Sequence, residues 1–462
     1  MRRELVLAGA AALLAITWVL ALPTCWTIFD EQAYLTQALR FARGEPFPAA
    51  PQIGGLALPG PRMVVDAFGY ERPEFAAGWP ALLAPFAARS VTAAFALTLI
   101  VHLLGTAAFV GVLRRLDLDP RWALLYLLHP TAVLFARTAM ADVPAMAATA
   151  AGLFFWVERK RSGRSAALAG LVWGLSLHVR WSQGALLVGF LVSALLVDRV
   201  RGTRRAGPLA AGLTPGILTA VAASLWMHGS VLPPRSMGFG VEHLVRNGPI
   251  YALWLALLYP GLVLVPLRRG APLRTEAGLT LLVSLLLFGA FSHRYVGFGP
   301  AAPVIGLRFF LPATVLLLPA YAAVLEEART RLPSAVPWLA GVLLFVGGAG
   351  LQLRHADAQT AQLARVDAVT TALSDDPVIA MNDARELLLE PPGPVIRWLP
   401  EDPLPAIDGP AWILLSVRGD RATGADAAAS LEDLARSRWA LETVVDVPPD
   451  GGAPGVRLLR GR

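Results

Sequence analysis

Asp30 and Glu31 stand side by side where the first apolar segment gives way to a long polar stretch, in the run Thr27-Ile28-Phe29-Asp30-Glu31-Gln32-Ala33-Tyr34. Carboxylates kept at the edge of a lipid-facing segment are costly, and they mark a task. A carboxylate there can act as a general base, taking the proton from an acceptor hydroxyl so that its oxygen displaces a group at a sugar carbon. Neighbouring helical residues point about 100° apart, so only one of the two faces a given site. Asp30 is read as the base and Glu31 as its support. The competing reading makes Asp30 the N-cap of a helix that starts at Glu31.

The cationic candidates are Arg137, Arg180, His293, Arg294 and Arg308, and a further carboxylate is Asp142. Arg308 opens the apolar run Phe309-Phe310-Leu311-Pro312. A guanidinium matches phosphate oxygens two at a time, which suits a clamp on a lipid-linked phosphate. The plain alternative is an arginine that snorkels to anchor a helix end. His293 and Arg294 fall on the preceding connection and add charge, and Arg180-Trp181 closes another helix end. Asp142, with Pro144 two residues on, is placed to cap a helix, and it can also orient a substrate. Glu242, His243 and His228 lie in one expected outer loop, but their spacing matches no standard metal site.

These residues need a membrane scaffold to hold them. Of 462 residues, 55% are hydrophobic and only 16% charged, well below the charged share of an average soluble domain, and the mean hydropathy is +0.56. The net charge of +7 does not argue for nucleic acid, because the arginines sit between apolar segments where the positive-inside rule places them. One cysteine, Cys25, excludes an intrachain disulfide. The N-terminal run is read as an uncleaved first helix. Apolar segments near 5–22, 91–113, 122–136, 143–157, 166–179, 184–197, 207–227, 249–267, 277–291, 309–325 and 335–351 predict about eleven spans. With the N-terminus in the cytoplasm, every short basic connection falls on the cytoplasmic side. Asp30, Glu31, Arg137, Asp142, Arg180, His293, Arg294 and Arg308 then fall on the other.

In the first outer loop, 23–90, Glu31 to Arg43 predicts an amphipathic helix with Tyr34, Leu35, Ala38, Leu39 and Ala42 on one face, and 46–62, rich in Pro and Gly, predicts irregular chain. The expected division is a transmembrane domain over 1–351, a linker over 352–374 and a small α/β domain over 375–462. That domain is expected outside the membrane, with strands at 378–381, 395–398, 412–417 and 441–445 and a helix over 427–438. It shows no phosphate-binding glycine loop, metal spacing or nucleophile motif.

Together these features resemble the GT-C superfamily of membrane glycosyltransferases, and within it the protein O-mannosyltransferase and aminoarabinose-transferase group, over roughly residues 1–350. Asp30-Glu31 followed by Ala33-Tyr34 is similar to that group's first-loop acidic motif, and Arg137 through Asp142 to Pro144 to its second outer-loop motif. Gly174-Leu175 with Val179-Arg180-Trp181 is similar to its next helix end, and Arg308-Phe309-Phe310-Leu311-Pro312 to its late Arg-Tyr-x-x-Pro pattern, with Phe309 in place of the tyrosine. The resemblance implies a polytopic α-helical protein of the bacterial inner membrane that carries out an inverting transfer on the extracytoplasmic face. The donor is a sugar on polyprenyl monophosphate, and the acceptor is a hydroxyl on a glycan, lipid or protein. Asp30 is the implied base, and Arg308, helped by His293 and Arg294, stabilises the departing phosphate. No cofactor is required; a divalent metal is compatible with the chemistry but not indicated. Membrane lipids are implied partners and nucleic acid is not. The rival from another class is a transporter or lipid flippase without transferase activity, in which ionisable residues gather near mid-membrane and the sequence repeats.

Overall fold

The computed structural model describes residues 2–462 apart from 51, 54–55, 58–62, 66–68, 159–161, 203, 232–237, 269, 292–301, 330–334, 382–383, 390, 399–403, 406, 408, 418–421 and 449–454. Along the chain come α1 (Arg2–Leu20), α2 (Phe29–Arg43), β1 (Gln52–Ile53), β2 (Leu56–Ala57), β3 (Met63–Val65), β4 (Glu71–Pro73), α3 (Gly78–Ala87) and α4 (Val91–Arg115). Then follow α5 (Leu124–Leu127), α6 (Pro130–Phe135), α7 (Asp142–Trp156), α8 (Gly163–Leu175), α9 (Gln183–Arg201), α10 (Ala206–His228), α11 (Val241–Leu258) and α12 (Arg274–Gly289). Last are α13 (Ala302–Gly306), α14 (Leu311–Arg329), α15 (Ala335–Ala372), β5 (Val378–Met381), β6 (Val395–Trp398), β7 (Ala411–Val417), α16 (Ala422–Arg436), β8 (Leu441–Val447) and β9 (Gly455–Gly461). They fall into two compact units, one built from 1–21, 75–79 and 95–353, the other from 22–74, 80–94 and 354–462.

The first unit is a helical bundle. Within it α8 packs against α7 and α10, α9 against α12, and α14 against α7 and α12. The α8–α10 contact is very close because of glycine. Gly170 and Gly174 of α8 meet Gly212 and Gly216 of α10, and a Cβ on any of the four would run into backbone of the facing helix. Two small-xxx-small pairs facing each other are the usual device where apolar solvent gives helices no reason to associate except packing. Among the described residues four helical stretches are long and apolar enough to cross a membrane: Val91–Arg115, Gln183–Val200, Ala206–His228 and Pro303–Ala328. Several of the other expected spans fall on shorter helices, α7, α8 and α12 having 15, 13 and 16 residues.

The span expected over 122–136 is not one helix. A 3₁₀ turn over Pro120–Ala123 leads into the single turn of α5, and the chain breaks at His129 before α6 restarts at Pro130. The proline has no N–H to give and keeps the residue before it out of the helical region, and His129 sits at φ −57°, ψ 117°. The carbonyls released by the break find donors elsewhere: His102 Nε2 donates to Leu127 O at 2.9 Å and the Tyr259 hydroxyl to Leu125 O at 2.6 Å. The span expected over 249–267 is also shifted. α11 starts at Val241, so Glu242 and His243 lie on its first turn rather than in a loop. It ends before Pro260-Gly261, where Gly261 adopts φ +83°, a conformation only glycine takes cheaply.

In the second unit the C-terminal residues form a five-stranded sheet in the order β6-β5-β7-β9-β8. β5 runs parallel to β6 and β7, while β9 runs antiparallel to β7 and β8. The central strands read as unbroken apolar runs, as strands covered on both faces do: all of β5 and Ala411 to Ser416 of β7 are buried. β9 was not expected. Arg457 and Arg460 interrupt its apolar pattern, yet it pairs with β7 along its whole length, and Arg457 pays for its charge with ion pairs to Glu432 (3.0 Å) and Asp446 (3.5 Å). α16 packs on β7. The segment 352–374, expected as a linker, is mostly helix, because α15 continues without interruption to Ala372. The stretch expected to be irregular holds the short β1–β2 pair.

Candidate active site

The first unit gathers most of the cationic candidates. Residues 136–141, between α6 and α7, are an irregular connection, and every one of them is buried. Connections normally run over the surface, where water satisfies their backbone. Here Trp79 Nε1 donates to Ala139 O at 2.8 Å and Thr138 Oγ1 to Phe135 O at 2.8 Å. This buried turn carries Arg137, which is 0% exposed, and delivers Asp142, 1% exposed, to the start of α7. The sequence placed Asp142 as a cap, but it does not cap that helix; Ala141 occupies the cap position without a side-chain bond. The Asp142 carboxylate instead ion-pairs with Arg180 from the turn after α8.

Phe309 joins the next two arginines. The Arg180 guanidinium carbon lies 5.1 Å from the centre of its ring and that of Arg308 5.0 Å, with Arg308 also 5.8 Å from the Phe135 ring. Cations over an aromatic face gain from the ring quadrupole and lose water in doing so. Arg308 is 4% exposed, which excludes the snorkelling reading, since a snorkelling head group ends in water. It sits in a 3₁₀ turn over Leu307–Phe310 that leads directly into α14. Phe309, noted from the sequence for lacking a hydroxyl, is thus an aromatic platform for two guanidiniums. His293 and Arg294 lie outside the described residues.

The Asp142–Arg180 pair is testable by itself. Removing one member of a buried ion pair leaves the other uncompensated. Asp142→Asn is expected to lower stability by roughly 3 kcal/mol, read as a reduced Tm of the purified protein. A wild-type Tm would mean that the pair holds nothing.

The carboxylate pair belongs to the second unit. α2 begins at Phe29 with Ile28 at the cap, so Asp30 lies in the first turn and is not the N-cap. Glu31 is 0% exposed, and its Oε2 accepts from the Thr27 backbone N–H at 2.9 Å and the Thr27 hydroxyl at 3.3 Å. A side chain in the first turn reaching back to an N–H ahead of the helix is the logic of a capping box. The Thr27 hydroxyl also lies 2.9 Å from His355 Nε2 on α15. Glu31 is therefore a structural carboxylate tied into a Thr27–His355 chain, whereas Asp30 is only half-buried. Acidic side chains in a helix's first turn are also favoured by its dipole.

The helix is more deeply set than its pattern suggests. Tyr34, Leu35 and Ala38 are buried as expected, Ala42 is exposed, and Glu31, Gln32, Thr36 and Gln37 of the expected polar face are buried too. Thr27, Gln32 and His355 had not been singled out from the sequence, because each is an ordinary polar residue until the fold supplies its partner. Cys25 is enclosed beside this helix start. Burial, with the Glu31 charge adding to it, pushes its thiol up to about 12, and its carbonyl accepts from Gln359 Nε2 at 2.8 Å. A buried, protonated thiol is inert. Native protein is expected to resist maleimide and to label fully once denatured; rapid native labelling would contradict this packing. Among the described residues no three His, Cys, Asp or Glu come together as a metal-holding group.

No protein-family model and no curated protein matches the sequence. Solved structures do. The apo structure of ArnT from Cupriavidus metallidurans superposes with a TM-score of 0.60 at 13% identity, covering 99% of this chain and 98% of that one. The structure of the same protein bound to undecaprenyl phosphate gives 0.59 at 14% identity, covering 98% and 97%. At such identity the likeness is one of fold. The chain has a fold similar to that of ArnT along nearly its whole length.

Proposed function

We propose that this chain is a glycosyltransferase of the inner membrane, moving a sugar from a polyprenyl-monophosphate donor to a hydroxyl acceptor on the extracytoplasmic face. The observation that carries the reading is Arg308, buried against Phe309, with Arg180 over the same ring and Arg137 buried in the turn between α6 and α7, in a fold whose solved relative ArnT is known with undecaprenyl phosphate bound. A guanidinium held at a fixed place matches two phosphate oxygens at once, which suits the phosphate of such a donor.

In the proposed step Asp30 takes the acceptor hydroxyl proton. The oxygen forms a bond to the anomeric carbon as the bond from that carbon to the phosphate oxygen breaks, and back-side attack inverts the centre. The electron pair leaves on the polyprenyl phosphate, whose charge the guanidiniums stabilise, Arg308 foremost and Arg137 and Arg180 beside it. His293 and Arg294 are proposed to add to that charge. Glu31 supports Asp30 by fixing the start of α2. The chemistry needs no nucleotide and no metal, because fixed cations supply the positive charge. The eleven-span topology with a cytoplasmic N-terminus belongs to this proposal, and so does the placement of the C-terminal domain outside; it requires the broken segment 120–135 to cross.

One observation favours a transporter, since broken helices line the substrate paths of that class. The carbonyls freed at this break are taken by His102 and Tyr259, so they do not point at a substrate. The test is conversion of the donor: purified protein with a polyprenyl-monophosphate sugar is expected to yield glycosylated acceptor, and movement of intact donor across a bilayer without cleavage would favour the transporter.

A further inference from the structure

We infer that the C-terminal domain fixes the position of the Asp30 helix, and that Gln32 is the positioning residue. Gln32 is 0% exposed, and its amide nitrogen gives one proton to Arg385 O at 2.8 Å and the other to Leu388 O at 2.5 Å. One turn on, the Thr36 hydroxyl donates to Leu389 O at 3.4 Å, and one turn further Arg40 ion-pairs with Glu71 of β4. Residues 32, 36 and 40 share one face of α2, so the helix is held at three successive turns.

The acceptors are significant because of where they lie. Arg385, Leu388 and Leu389 belong to or follow the 3₁₀ turn Ala384–Leu387, and the Arg385 carbonyl that takes the Gln32 proton also accepts from the Leu388 N–H at 3.1 Å. That turn packs on β5 and β7 of the sheet. The Arg385 side chain is itself buried, its pKa drawn down to about 10 by burial and by Arg397, with Glu71 acting in the opposite sense. A continuous path of rigid elements thus runs from the sheet through the turn to Gln32, two residues from Asp30. Sites hold their geometry when the residues that carry them are locked from behind by such bonds. This role rests on the proposed one for Asp30, and it gives the C-terminal domain a part in the reaction that its own sequence does not announce.

The test uses the full-length protein with Gln32→Met, which keeps the length of the side chain and removes both donors. Two readouts separate the clamp from the chemistry. Hydrogen exchange is expected to quicken in peptides covering 29–43 and 384–389, and this holds whether or not the protein transfers sugar. In the transfer assay kcat is expected to fall about 10- to 100-fold, as a misplaced catalytic group costs, with the donor KM within about twofold of wild type. Unchanged exchange in both peptides overturns the clamp. Faster exchange with unchanged kcat overturns the positioning role. If wild-type protein transfers no sugar, the fault lies with the proposed function, and the exchange arm still decides the clamp. If Gln32→Met does not fold, Thr36→Val is measured in its place, with about a threefold loss of kcat expected from one neutral hydrogen bond and no loss overturning the inference.

Discussion

Asp30→Asn is expected to stop sugar transfer while the protein stays folded. Asparagine has the same shape but cannot take the acceptor's proton, and general-base assistance contributes on the order of 10²- to 10⁴-fold. Glu31 cannot step in, because its carboxylate is buried and already accepts from the backbone and hydroxyl of Thr27. Glu31→Gln is expected to act differently, loosening the start of α2 and lowering stability together with rate. The check is kcat for both variants beside their Tm. A wild-type rate in Asp30→Asn with an intact Tm removes Asp30 from the base role.

The second large effect is expected at Arg308. Arg308→Ala should raise the donor KM about 10- to 150-fold, the equivalent of about 1.5–3 kcal/mol for hydrogen bonds to a charged group. Its position decides why the effect should fall on the donor. The guanidinium is buried against Phe309 and Phe135, so it is neither a lipid anchor nor a solvated surface charge. Arg308→Lys keeps the charge but loses the planar fork that matches two phosphate oxygens and stacks on a ring, and it should fall between wild type and alanine. The measurement is donor KM with free polyprenyl phosphate as competitor. A KM and a competitor affinity that both stay at wild-type values take Arg308 out of the phosphate site.

The sequence disclosed much of this because its signals are local. Alternating apolar and basic segments require a membrane bundle, and the apolar runs at 378–381 and 412–417 require a buried sheet. The helix carrying Asp30 was readable from Tyr34, Leu35 and Ala38, and it ends at Gly44 in the left-handed conformation that glycine supplies. What stayed hidden depends on partners far along the chain. Asp30 and Asp142 both have the composition of a helix cap, and neither caps; one lies within its first turn and the other is drawn to Arg180, 38 residues away. The break at His129 has a local signal in Pro130, which the span expected over 122–136 passes over. β9 escaped because Arg457 and Arg460 are paired by Glu432, Asp446 and Asp376 from elsewhere in the domain. Gln32, 353 residues from one of its acceptors, has no sequence signal at all.

The most direct measurement of the central claim is a stoichiometric transfer assay on the purified protein in liposomes, supplied with a labelled polyprenyl-monophosphate sugar and an extract of envelope glycans, lipids and proteins. The account predicts one polyprenyl monophosphate released for each sugar that appears on an acceptor with inverted anomeric configuration. It also predicts no use of a nucleotide sugar and no release by Asp30→Asn. Donor that stays intact, or turnover that persists unchanged in Asp30→Asn, contradicts it.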